Sequence, residues 1–112
     1  MKPTVNFQNW EKIDLRVGKI VNVEEIENAD KLYKLTVDLG GEIGERTLCA
    51  GIKNHYKKDE LHGKKIVVFV NLEPRKLKGV ESQGMLLAAT DEKGNLSLIS
   101  PEEDIELGSR IS

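Results

Sequence analysis

Arg75, Lys76 and Lys78 fall within four residues, behind Pro74 and ahead of Ser82, Gln83 and Gly84. Basic side chains at this density neutralise phosphates, and Ser and Gln side chains donate to phosphate or 2′-hydroxyl oxygens. Gly79 and Gly84 would let a backbone approach a ligand closely. The chemistry on offer is recognition of a phosphate backbone, to be weighed against an ordinary loop with solubilising lysines. Covalent chemistry is not assembled. The single Cys49 lies between Leu48 and Ala50 in an apolar run and reads as a buried, inert thiol. Asp14, Asp30 and Asp38 stand singly, and His55 and His62 are seven apart with no third ligand, which excludes a zinc set. There is no phosphate-binding glycine loop and no dinucleotide fingerprint. No catalytic residue, metal or cofactor is expected, and the chain reads as one that binds rather than transforms.

The scaffold for these residues is written mostly in period-two alternation. Ile13, Leu15, Val17, Val21 and Val23 outline a first strand, with Gly18 expected to bend it. Tyr33–Leu39 and Arg46–Ile52 alternate likewise, whereas 53–63 reads as a turn or short helix. Lys65–Asn71 is apolar on both faces, as a central strand is, and Met85–Thr90 and Leu96–Ile99 follow as further strands. Short strands separated by Gly, Asn and Asp turns predict an all-β fold, a five-stranded Greek-key barrel of the oligonucleotide-binding (OB) type. The 112 residues are expected to form one domain, 1–112, with a core over about 13–90 and a C-terminal extension over about 91–112. The extension carries Leu96, Leu98, Ile99, Ile105, Leu107 and Ile111, more apolar surface than a free tail needs. A two-fold dimer through 96–112 would cover it.

Net charge is −2, but it is unevenly spread. Residues 31–90 hold eleven basic and seven acidic side chains, while 91–112 hold two and six. A basic middle between acidic ends can present a local positive face that the total conceals. One cysteine, no long apolar stretch and no leader pattern at Met1 are what a cytoplasmic protein without membrane contact would show. The five aromatics are too few for a base-stacking platform; Phe7 and Trp10 are expected to cover the barrel, Phe69 to be buried, and Tyr33 to pack in the core. Phosphate contact and shape should then dominate.

Four blocks carry a resemblance: D-L-R-V-G-K-I at Asp14–Ile20, N-A-D-K-L-Y at Asn28–Tyr33, A-G-I at Ala50–Ile52, and N-L-E-P-R-K-L-K-G-V-E-S-Q-G-M-L-L-A-A at Asn71–Ala89. The chain resembles the tRNA-binding domain family, which forms the C-terminal domain of many methionyl-tRNA synthetases and also occurs as free-standing tRNA-binding proteins. It is most similar to the short archaeal form known as the beta subunit of methionyl-tRNA synthetase. The resemblance implies tRNA as partner, bound by shape and backbone, a homodimer, and a non-catalytic role beside the catalytic subunit of that synthetase. The RNA-facing positions it implies are Lys31, Arg46, Asn71, Arg75, Lys76, Lys78, Ser82, Gln83 and Met85. Two departures stand out: Ile26-Glu27 where the family often has His-Pro, and Ala50 where it often has Ser. A secretion-chaperone family of the same fold shares D-L-R-V-G, which leaves a peptide-binding dimer as the alternative. Its members diverge at S-Q-G-M, so that block favours tRNA.

Overall fold

The computed structural model describes residues 1–112. Its longest strand, β1 (Leu15–Glu25), organises the rest. The first half of β1 pairs antiparallel with β4 (Lys65–Phe69) from Leu15↔Phe69 to Lys19↔Lys65. Its second half pairs with β2 (Tyr33–Asp38) from Lys19↔Asp38 to Glu25↔Tyr33, and β2 continues to β3 (Glu45–Ala50). One strand can serve two neighbours because it changes direction, and the ladder shifts register between Ile20 and Asn22. The break thus lies beyond Gly18. That glycine is required by packing instead, since a methyl there would lie 2.6 Å from Val37 Cγ1 and 2.8 Å from Leu39 Cδ2.

Alternation sends Tyr33, Leu35 and Val37 of β2 inward, onto Leu48 of β3, Ile66 and Val68 of β4, and Ile20. The helix α2 (Lys58–Leu61) adds its only buried residue, Leu61, to this core. Each such aliphatic side chain contributes roughly 1.5–3 kcal/mol on burial. Val67, on the opposite face of β4, is also buried, which explains the continuous apolar run there. Its backbone N–H donates to the Ile99 carbonyl, so the C-terminal segment covers that face.

Beyond β4, where the sequence suggests a loop, stands a hairpin of β5 (Arg75–Leu77) and β6 (Val80–Ser82). The single strand expected over 85–90 is two: β7 (Met85–Leu86), paired with β4, and β8 (Ala88–Thr90), paired with β9 (Leu96–Leu98). The order β3-β2-β1-β4-β7 makes a nearly closed five-strand antiparallel barrel. Two small elements carry no clear period: α1 (Phe7–Glu11), capped by the Asn6 side chain on the Asn9 N–H, and β10 (Arg110–Ile111), paired with the start of β1. Phe7 is 70% exposed rather than covering the barrel, and Phe69 is only half-buried. In the extension Leu98 is buried, while Ile99 and Ile105 remain exposed. No helix is long and apolar enough to cross a membrane.

Candidate nucleic-acid interface

The β5–β6 hairpin turns through Lys78 and Gly79, both at positive φ (50° and 81°), the requirement of a type I′ connection. This tight turn projects Arg75, Lys76 and Lys78, all exposed. A two-stranded hairpin is marginal alone, so something must hold it to the barrel. The S-Q-G block does this.

Ser82 is buried, and its hydroxyl is used twice: Oγ accepts from the Cys49 N–H (3.0 Å) and donates to the Gly84 carbonyl (3.0 Å). The Gln83 N–H donates to the Thr47 carbonyl (2.8 Å), and the Thr47 N–H donates to Gln83 Oε1 (2.9 Å). These bonds bridge the gap between β3 and the 82–84 segment, closing the barrel with one backbone bond and the Ser82 and Gln83 side chains where a ladder would otherwise run. Arg46, half-buried, donates through Nη1 to the carbonyls of Val70 and Gln83, both at 3.1 Å. Gly84 sits at φ 139°, where a methyl would meet the Phe69 carbonyl at 2.8 Å. Asn71 faces elsewhere: Oδ1 accepts from the Asp14 N–H (2.8 Å) and Nδ2 donates to the Lys12 carbonyl (2.7 Å), fastening the N-terminal segment to the end of β4.

The nine residues singled out by sequence therefore divide. Arg46 Nη1, the side-chain polar groups of Asn71 and Ser82, and the Gln83 carbonyl oxygens are engaged by the protein itself. Lys31, Arg75, Lys76 and Lys78 take no part in the ion pairs of the chain, whose basic members are Arg16, Lys53, Lys58 and Lys65. Lys31 and Lys78 border, together with Asp30, a depression of about 230 Å³ between the β1–β2 loop and the hairpin tip. On the other side of the hairpin a shallow groove of about 360 Å³ runs between Lys34, Thr47, Glu81 and Gln83. Lys34 escapes sequence reading because only the β2–β3 register, which sets it opposite Cys49, brings it to this face.

Met85, 43% exposed, lines a third cleft of about 220 Å³ with Leu72, Leu77, Leu86 and Arg75. Cys49 also borders this cleft and is half-buried rather than buried; desolvation pushes its thiol pKa up, against the opposing pull of Lys34. A raised thiol is a poor nucleophile. No aromatic side chain lines any of these three clefts. Tyr33 is buried, with its hydroxyl donating to the Tyr56 carbonyl at 2.9 Å.

Residues 15–110 match the model of the family described as "Putative tRNA binding domain". The chain is 54% identical over 107 residues to the methionine–tRNA ligase of Pyrococcus furiosus, covering 96% of this chain and 14% of that protein. It thus spans about one-seventh of the length of such relatives. Among solved structures, the MetRS-related protein of Pyrococcus horikoshii superposes with a TM-score of 0.90 at 40% identity, covering 99% of this chain and all of that one. The CsaA chaperone protein of Picrophilus torridus superposes with a TM-score of 0.89 at 36% identity, covering 97% and 100%. With the family match running over nearly the whole barrel and its extension, the chain belongs to the tRNA-binding domain family.

Proposed function

We propose that this chain is a tRNA-binding module that holds folded RNA through phosphate contacts and shape, without catalysis, and assists a methionyl-tRNA synthetase in the cytoplasm. The observation that carries the reading is the group of unpaired cations, Lys31, Arg75, Lys76 and Lys78, around a hairpin bolted to the barrel. A hairpin already anchored to the barrel leaves only the cation side chains to be ordered on meeting phosphates, and the lack of an aromatic platform argues against extended single strands. In this reading Met85 and the free amide nitrogen of Gln83 reach the RNA beside the cations. Arg46, Asn71 and Ser82 act through the positions they enforce. The relatives support tRNA and a synthetase as partners. Residues of about 13–90 would be the binding core of one domain, and the exposed Ile99 and Ile105 of the extension favour a homodimer.

Filter binding at several salt concentrations tests the reading, with total tRNA beside a single strand of matched length. Log affinity should fall linearly with log salt, by about 0.7–0.9 for each phosphate neutralised, and tRNA should bind tighter. Equal affinity for the single strand would remove the shape component. A second reading, a peptide-binding chaperone dimer, is favoured by the apolar cleft of Leu72, Leu77, Met85 and Leu86 together with the chaperone-like superposition. Tight binding of an unfolded apolar peptide by a protein that ignores tRNA would establish it instead.

A further inference from the structure

Next to the hairpin face lies a second pair of lysines that is not free. Lys53 Nζ is 2.7 Å from Glu25 Oε1, and Lys58 Nζ is 3.4 Å from Glu25 Oε2. One carboxylate thus holds two ammonium groups, one on each oxygen, as a bridging phosphate would. The arrangement is open to solvent, with the Glu25 side chain 55% exposed. It is also continuous with the proposed RNA face. The Lys53 N–H donates to the Lys31 carbonyl (3.2 Å), and Lys31 shares its depression with Lys78. A run of basic residues therefore extends from the hairpin tip through Lys31 to Lys53 and Lys58, with the Asp30 carboxylate beside the Lys31 depression and the Glu25 carboxylate between Lys53 and Lys58.

Resting on the tRNA-binding reading, we propose that Lys53 and Lys58 form an additional phosphate-binding point for the same RNA, and that Glu25 occupies it in the free protein as an internal competitor. An RNA phosphate reaching this point must displace the carboxylate, so part of its attraction is cancelled by the ion pairs broken. Such an arrangement trades affinity for rapid release, which suits a module that passes tRNA to another site. The lysines hold the Glu25 carboxyl below the ordinary carboxylate range, Lys53 foremost by its hydrogen bond, so the competitor is charged throughout the neutral range.

The test is tRNA affinity and its salt dependence for Glu25→Gln, for Lys53→Ala with Lys58→Ala, and for all three together. Asp59→Asn serves as a control that removes a carboxylate from α2 with no lysine partner. Glu25→Gln should tighten tRNA binding roughly two- to fivefold at low salt, the scale of exposed ion pairs. It should also steepen the salt slope by about one. The gain should vanish when both lysines are absent and should exceed that of Asp59→Asn. No gain, or an equal gain without the lysines or from Asp59→Asn, would show a mere change in overall charge and overturn the proposal. Thermal unfolding of Glu25→Gln should match the parent, because the pair is exposed. If the parent binds tRNA while Glu25→Gln changes nothing, only this inference falls. If the parent fails to bind tRNA, the reading beneath it falls as well.

Discussion

Arg75, Lys76 and Lys78 are exposed and outside every ion pair, whereas Ser82 a few residues on is buried with its hydroxyl engaged as donor and acceptor. Opposite signatures are therefore expected from replacing them. The triple change Arg75→Ala, Lys76→Ala, Lys78→Ala should flatten the salt dependence of tRNA affinity by about two to three and leave thermal unfolding almost unmoved. Lys93→Ala, in the distant turn that Asp91 caps through the N–H groups of Lys93 and Asn95, should leave the parental slope in place. Ser82→Ala strands the Cys49 N–H and the Gly84 carbonyl, and should cost about 1–3 kcal/mol of stability. For a chain of this size that lowers Tm by several degrees, with the salt slope of the remaining folded protein unchanged. A Ser82→Ala protein as stable as the parent but weaker on tRNA would place the hydroxyl on the RNA instead. Composition makes Ser82 and Arg75 look alike, as polar residues of one motif. Burial separates them.

The hairpin of β5 and β6 shows why some elements are legible in sequence and others are not. In β2 the alternation of Tyr33, Leu35 and Val37 is plain because one face meets the core and the other meets water. The hairpin strands have three residues each and only Leu77 and Val80 to signal a face, so no period can emerge. Their anchor is a set of bonds from Ser82, Gln83 and Arg46, which apolar periodicity does not register. The basic cluster was visible because it is contiguous in the chain; Lys34 and the Lys53–Glu25–Lys58 group were not, because only folding assembles them. At the hairpin tip Lys78 holds φ 50°, a left-handed conformation that disfavours most side chains and is best tolerated by Gly and Asn. A lysine kept there at some cost in strain points to a use for its charge. Lys78→Asn should therefore hold or slightly raise Tm while lowering tRNA affinity and reducing the salt slope by about one. Calorimetry and filter binding on the same preparation measure both; a loss of Tm with unchanged affinity would reverse the assignment.

On the scale of the whole molecule, the extension is fastened to the barrel by a residue that reads from sequence as an ordinary outward-facing cation. Arg16 is 4% exposed. Its guanidinium pairs with both Asp14 oxygens (2.6 and 3.1 Å), with Glu42 Oε2 (2.9 Å) and with the Gly108 carbonyl (3.2 Å). It thereby joins the start of β1, the β2–β3 turn and the segment leading into β10. Beside it the Gly108 N–H donates to the Val17 carbonyl and the Val17 N–H to Ser109, so the clasp and the strand addition support one another. Hydrogen bonding to Arg16 lowers the pKa of both Asp14 and Glu42. Carboxyl groups depressed in the folded state contribute stability that is fully present above their unfolded values, near 4, and is lost as pH falls through the folded ones. Tm should accordingly be flat from pH 8 to about 6 and decline progressively below about pH 5. Asp14→Asn should lower stability at neutral pH by about 1–3 kcal/mol, because it leaves a covered guanidinium with one exposed carboxylate, and should make the acid decline shallower. Adding Arg16→Met should restore part of that loss by removing the stranded charge, whereas a pairing of no consequence would leave the single and double variants melting with the parent from pH 4 to 8. Thermal unfolding of the three proteins across that range decides whether this clasp holds the extension in place.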